Sequence, residues 1–177
     1  MIAFVHLGSL KAPETEYSVV TQGAVVADMG QDVSLGKMAE YLGYQNNPKY
    51  LVDYSSDGTN WNALYGADNP WDAGSVFCWN YTDLNVTARY VRISPAADTT
   101  NDSIMELVFT DTEGNVVTPV NAGDYSTLFD EQDLYAARAT NLNGTYFDEI
   151  YHGRTAYEMI HKLYCYCLLY TSPSPRD

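Results

Sequence analysis

The chain has 177 residues and a formal net charge of -14, with nine Lys and Arg against 23 Asp and Glu. That balance excludes a nucleic-acid backbone or an anionic lipid surface as the main partner, because both require clustered cations. Sixteen Tyr and three Trp against five Phe point to many half-buried rings with polar tips, as in β-sandwiches and sugar-binding surfaces, although strand propensity alone accounts for most of them.

This length holds one ordinary domain with a sizeable core and a short extension. Cys78 stands alone, and Cys165 and Cys167 are one residue apart near the end, so no disulfide framework is predicted. The opening Met-Ile-Ala-Phe-Val-His-Leu-Gly lacks the basic flank, long apolar run and cleavage site of a secretory leader. No stretch reaches the roughly 20 apolar residues of a membrane-spanning helix. Asn80, Asn85, Asn101 and Asn143 stand in Asn-x-Ser/Thr sequons, which matter in a secreted eukaryotic chain.

Residues 4–15 read as a leading extended segment, with Ala12-Pro13 keeping it out of helix. Residues 24–30 form a short apolar strand ending at a turn glycine, Gly30, and residues 35–43 a second one ending at Gly43. Asn46-Asn47-Pro48 then turns the chain. Tyr50, Val52 and Tyr54 alternate with Leu51, Asp53 and Ser55, so one side of this strand can line a core. Asp57-Gly58 supplies the positive φ of a tight turn, and Trp61 follows where a large ring can close one end of a sandwich. Tyr54 and Trp61 are therefore expected to be buried.

Residues 62–74 are rich in Gly, Asp, Asn and Pro and read as a long loop carrying Tyr65 and Trp71. Strands follow over 76–81 and 90–93, with Val91 and Ile93 facing inward between Arg89 and Arg92. Met105, Leu107 and Phe109 alternate in a last strong strand, Glu113-Gly114-Asn115 makes a turn, and the sandwich is expected to end near Pro119. Over 120–143 the periodicity weakens to a linker that contains the acidic run Phe129-Asp-Glu-Gln-Asp-Leu134. Phe147, Ile150, Tyr151, Tyr157, Ile160, Leu163 and Tyr164 then recur at three- and four-residue spacing, which predicts an amphipathic helix over 144–166. Thr145 with Asp148 makes a capping box at its start, and His161 and Lys162 suit its negative end.

Rings that can stack on a sugar, with hydroxyl partners beside them, are found in the 62–74 loop: Tyr65 and Trp71 with Asp68, Asn69 and Asp72. Trp79 is a further ring, and Arg89 and Arg92 could act as forked donors. Asp68, Asp72, Asp98 and Asp102 could contribute to a calcium site, but acidic loops on an acidic chain are ordinarily just solvated. Glu149-x-x-His152 is half of a carboxylate-bundle metal motif with no second half, so no metal site is assigned.

Tyr54-Ser-Ser-Asp-Gly-Thr-Asn-Trp61, followed by Ala88-Arg-Tyr-Val-Arg-Ile93, resembles the discoidin or coagulation factor type C family over roughly residues 4–119. The resemblance implies a mainly β fold, an antiparallel jelly-roll-like, galactose-binding-like β-sandwich, here followed by the short amphipathic helix. It also implies a glycan or glycoprotein surface as partner. In that family the positions of Trp61, Arg89 and Arg92 support the fold. A second resemblance covers about twenty residues. Tyr146-Phe-Asp-Glu-Ile-Tyr-His-Gly-Arg-Thr-Ala-Tyr-Glu158 is similar to the first extracytoplasmic loop of protein O-mannosyltransferases and related GT-C membrane glycosyltransferases. It implies a parent enzyme on the extracytoplasmic face of a membrane, using a polyprenyl-phosphate sugar donor, with Asp148 as general base and Glu149 positioning the acceptor or a metal. Alone, the present chain would then be inactive. The alternatives are a free-standing carbohydrate-binding module or a structural spacer. Finally, Cys167 to Asp177 resembles one translated frame of a common transposase sequencing adapter and is set aside as a scar. The expected organisation is a sandwich over 1–119, a linker over 120–143, the start of a catalytic loop over 144–166 and the scar over 167–177.

Overall fold

The computed structural model describes residues 11–43, 48–74, 76–138, 155–156 and 159–160. The chain divides into two units, Met1–Gly144 and Thr145–Asp177. In the first, a one-turn helix α1 (Val19–Gln22) precedes strands β1 (Val25–Leu42), β2 (Lys49–Ser55), β3 (Asn62–Tyr65), β4 (Trp71–Asp72), β5 (Cys78–Pro95), β6 (Ile104–Asp111) and β7 (Val116–Val117). All pairings are antiparallel, in the order β3-β2-β5-β1-β6-β7, with β4 also on β2.

In that order β2 and β6 are three places apart, roughly 14 Å along a flat sheet. Yet Tyr50 and Val52 of β2 share one core with Ile104, Leu107 and Phe109 of β6. The sheet therefore folds over on itself, which gives the antiparallel sandwich the sequence predicts. Two 18-residue strands, β1 and β5, carry the fold. The register of β1 shifts between Asp28 and Val33 and again between Leu35 and Lys37, and extra residues at such bulges bend a strand and increase its twist. Gly30 sits in the first shift at φ 79, a backbone region that only glycine enters freely. Gly36 sits in the second, where an added Cβ would meet the Asp111 carbonyl oxygen at 2.5 Å.

The bulges correct the sequence reading. The segments 24–30 and 35–43 are one strand, because Gly30 marks a bulge rather than a turn. Likewise 78–81 and 90–93 are parts of one strand, residues 76–77 being a turn before it: Thr82, Leu84 and Ala88 are buried between exposed Asp83, Asn85 and Thr87, the alternation of a continuous strand. Within the expected 62–74 loop, the chain forms β3 and β4.

The segment expected to be a linker packs on the sandwich as far as it is described. Its first part satisfies the edge of β1 that β6 leaves bare, since β6 pairs only with Leu35 to Leu42. Val120 N donates to Asp28 O at 2.7 Å, Asn121 bridges Asp28 N and Val26 O at 2.9 Å each, and Val26 N donates to Tyr125 Oη at 3.1 Å. Unpaired edge groups would otherwise need water or another chain. The 3-10 turn Ala122–Leu128 then delivers Leu128, fully buried, and Phe129, 7 % exposed, into the main core. A second 3-10 turn, Gln132–Leu134, leads to Tyr135, which meets Trp79 edge-on at 5.5 Å over a smaller cluster of Ala39, Tyr41, Trp79, Met105 and Val108. Tyr81 Oη donates to Ala136 O there at 2.6 Å.

Of the helix predicted over 144–166, positions 155–156 and 159–160 are described and are helical. Ile160, which the periodicity places on the apolar stripe, is 76 % exposed, and Met159 is 49 % exposed. The rest of that helix and the adapter-like segment lie outside the described residues. Among the described residues, no helix is long and apolar enough to cross a membrane.

Candidate functional site

Two side chains anchor the 62–74 connection in addition to the pairing of β3 and β4 with β2. Tyr65, opposite Val52 in register, shares a 2.5 Å hydrogen bond with Thr82. Trp71 lies opposite Tyr50, with ring centroids 5.8 Å apart, and is 8 % exposed. Trp71 is thus an anchor of the connection and not a free stacking platform, because β4 turns its ring inward onto a fully buried tyrosine. Asp68, Asn69 and Asp72 remain at the surface. Asn69 N closes a turn on Gly66 O at 3.1 Å, and Ala73 N bonds Pro48 O at 3.3 Å. Tyr65 ends β3 and Asp72 ends β4, with exposed Asp68 and Asn69 between them in the chain.

The expected core ring, Trp61, is only half-buried, as is Tyr54. Arg92 lies over the Trp61 ring, its Cζ 4.3 Å from the centroid. Arg92 Nε and Nη2 both donate to Asp53 Oδ2, at 3.0 and 2.7 Å. One row further, Arg89 forks onto both oxygens of Asp28 at 2.8 and 2.9 Å and covers Tyr90 at 4.8 Å. Those bonds hold the Asp28 carboxyl below the usual carboxylate range. The Asp57 turn is built from its own side chain: Oδ1 accepts from Thr59 N and Asn60 N at 2.8 Å each, and Gly58 adopts φ 72. Bonds from Asn60 hold Asp57 well below the usual range.

Two carboxyl arrangements escape sequence reasoning. Glu40 is fully buried in the main core, facing the Tyr50 hydroxyl, and neither oxygen has a hydrogen bond of good geometry. Burial pushes its carboxyl up to about 8, the Tyr50 hydroxyl opposes this and Asp102 adds to it. Asp102 itself receives Ser18 Oγ at 2.5 Å, Val19 N at 2.9 Å and Val20 N at 3.2 Å, so it caps α1. The second arrangement is Glu106 with Asp130 and Glu131, whose oxygens lie within 4.8 Å of one another. The chain's own donors serve this cluster. Glu131 Oε2 accepts Glu14 N at 2.7 Å, Asp130 Oδ1 accepts Thr15 Oγ1 at 2.9 Å, and Glu106 accepts Glu131 N at 3.1 Å and Gln132 Nε2. The acidic run 129–134 is its signal in the sequence, where weak periodicity predicts a linker.

Among the described residues, the calcium candidates form no cluster of three carboxylates. Asp102 caps a helix, Asp98 pairs with Lys49 at 3.2 Å, and Asp68 and Asp72 are exposed. Trp79 is buried beside Tyr41 and Tyr135. Asp148, Glu149 and His152 lie outside the described residues.

A sequence model of the F5/8 type C domain matches residues 14–108, more than half of the chain. No curated protein matches it. Among solved structures, the chain is similar to the C-terminal domain of a chitobiase from Bacteroides fragilis, at 24% identity and TM-score 0.46 over 60% of this chain and 77% of that one. It is also similar to the CBM32 of AlyQ in complex with 4,5-unsaturated mannuronic acid, at 19% identity and TM-score 0.45 over 58% and 80%. A longer glycoside hydrolase aligns at 20% identity and TM-score 0.38; it covers 49% of this chain, and the chain spans 19% of its length.

Proposed function

Because the chain belongs to the F5/8 type C domain family, we propose that its sandwich is a carbohydrate-binding module whose ligand surface is the 62–74 connection. The observation that carries this reading is the way the connection is fixed. Trp71 on Tyr50 and Tyr65 on Thr82 hold it, while Asp68, Asn69 and Asp72 face solvent. Sugar hydroxyls need polar partners in set positions, and a pre-organised connection lowers the ordering cost of binding. Tyr65, half-buried at the edge of β3, supplies the ring beside them. The test is a titration of soluble oligosaccharides against the wild type and Asp72→Ala. Saturable binding that weakens in the variant supports the reading, and a panel with no binder sinks it.

A second reading concerns a longer parent protein, and residues 146–158 favour it. We propose that this run opens the catalytic loop of a membrane glycosyltransferase that takes its sugar from a polyprenyl phosphate. There Asp148 accepts the proton of the attacking hydroxyl and Glu149 positions the acceptor. Proton removal by a placed carboxylate is worth about 10² to 10⁴ in rate. The gene in its native source decides this: a frame that continues past Tyr166 into apolar stretches of about 20 residues supports the reading, and a stop without them removes it.

A further inference from the structure

We propose that Glu40, Tyr50 and Asp102 form a proton-dependent latch that docks two short elements, α1 and β4, on the core and so sets how firmly the 62–74 connection is held. All three side chains are buried, and the Tyr50 hydroxyl serves both acids: it donates to Asp102 Oδ2 at 3.5 Å and also faces Glu40. Asp102 is used as an acceptor throughout, taking Ser18 Oγ at 2.5 Å, Val19 N at 2.9 Å and Val20 N at 3.2 Å besides. One hydroxyl carries one hydrogen, and an ionised carboxylate can only accept. With Glu40 protonated, that hydrogen stays with Asp102. With Glu40 ionised, two buried acids compete for it, and among the described residues neither Glu40 oxygen has another donor. A buried charge without a donor is costly, so ionisation favours any local opening that lets water reach Glu40.

The fold limits where that water enters. Glu40 lies in β1 with Asn80 of β5 and Leu107 of β6 on its two flanks, so its own sheet stays shut. The elements on Tyr50 and Asp102 are smaller. α1 is one turn whose first amides are held by Asp102, and β4 is two residues paired with Lys49 and Tyr50, with the Trp71 ring on that of Tyr50. Elements with so few bonds open at lower cost than long strands. The other charges around the latch are engaged elsewhere: Lys37 with Asp83, Lys49 with Asp98, Arg89 with Asp28 and Arg92 with Asp53. Glu106 pairs in register with Tyr41 and accepts from Glu131 N and Gln132 Nε2, and Tyr17, which bears on Asp102, donates to Gly23 O at 3.0 Å. Burial raises the Glu40 carboxyl from 4.5 to about 8. The docked state thus keeps a proton that an opened state gives up between those values, and opening becomes easier as pH rises through that window. What the connection binds rests on the carbohydrate-binding reading; the latch does not.

The experiment is amide hydrogen exchange of the sugar-free protein between about pH 5 and about pH 9, corrected for the intrinsic pH dependence of exchange. It follows Val19 N and Val20 N, bonded to Asp102, and Ala73 N, bonded to Pro48 O at 3.3 Å just after β4. Their opening constants should rise about 10-fold per pH unit up to about pH 8 and level off above it. In Glu40→Gln they should stay flat, and the amides bonded between β6 and β7 should be flat in both proteins. If the variant does not fold, the wild type decides through the ¹³C shift of the Glu40 carboxyl, expected to titrate near 8 with the Trp71 amide and indole shifts moving in step. Flat constants at Val19, Val20 and Ala73 in the wild type, a slope unchanged in the variant, a still Trp71, or one slope shared by every amide, which marks loss of the whole fold, overturns the latch. A glycan panel with no binder overturns the module reading and leaves the latch standing, whereas a connection that binds sugar and opens without regard to pH overturns the latch alone.

Discussion

The ring of Trp71 packs on that of Tyr50 at 5.8 Å, tilted by 40°, and this contact ties the surface connection to the middle of the core. Among the described residues, Trp61 makes no such ring contact; the half-exposed guanidinium of Arg92 lies over it. The two tryptophans should therefore differ in stability cost. Trp71→Ala should lose about 3–5 kcal/mol, the range for deleting a buried aromatic ring. Trp61→Ala removes a cation–π pair worth about 1 kcal/mol near the surface, plus partial burial. Urea unfolding of both variants checks the order, and a larger loss at Trp61 would contradict it.

Glu40 makes stability depend on pH. Its folded carboxyl is raised from 4.5 to about 8 by burial, so the folded state holds a proton that the unfolded chain gives up. The contribution is complete below 4.5 and is lost as pH rises through about 8. Glu106, also raised to about 8 by burial, acts in the same window. Thermal midpoints should fall across that window in the wild type and fall less in Glu40→Gln, which cannot ionise. An equally steep fall in the variant would show that Glu40 is not buried as a neutral acid.

Leu128 and Phe129 belong to the core although they follow Pro119. Ending the chain at Pro119 should expose Phe109, whose ring lies 6.3 Å from that of Phe129, and leave the edge of β1 unpaired. Ending it at Arg138 should keep a cooperative fold. Leu128→Ala in the full chain should cost about 2–5 kcal/mol. A shorter chain as stable as the longer one would return this segment to the status of a linker.

Cys167 to Asp177, if it is an adapter-derived scar, was never selected for packing, and two prolines in its last seven residues discourage regular structure. Its deletion should leave the thermal midpoint where it was. A clear drop would reveal a contact that selection would have had to build.

Much of the fold can be read from the residue pattern, since the inward alternation of Tyr50 and Val52 and the positive-φ glycines at Gly58 and Gly114 are local properties. The continuity of β5 is also legible in the alternation from Thr82 to Ala88, although Asn85 within it adopts φ 50. The rest depends on tertiary contacts. Whether a tryptophan in a polar connection is buried depends on a tyrosine about twenty residues earlier in the chain. A 3-10 turn such as Ala122–Leu128 shows no 3.6-residue period, so its delivery of Leu128 left no helical signature. Glu40 occupies an inward position between Met38 and Leu42, and a carboxylate there reads as solvent-facing until the partner strands are in place. For the candidate site, the exposure of Asp68, Asn69 and Asp72 follows from the polar composition of 62–74, whereas burial of the tryptophans runs opposite to expectation, Trp71 being buried and Trp61 half-buried.

The most direct test of the central claim is a map of backbone amide shifts during titration of the protein with the tightest oligosaccharide of a panel. The account predicts saturable shifts concentrated at 62–74, including Tyr65 and Asp72, with Thr82 moving beside them through its bond to Tyr65. Shifts that saturate elsewhere on the sandwich and leave 62–74 still, or a panel in which no sugar moves any amide, would contradict it.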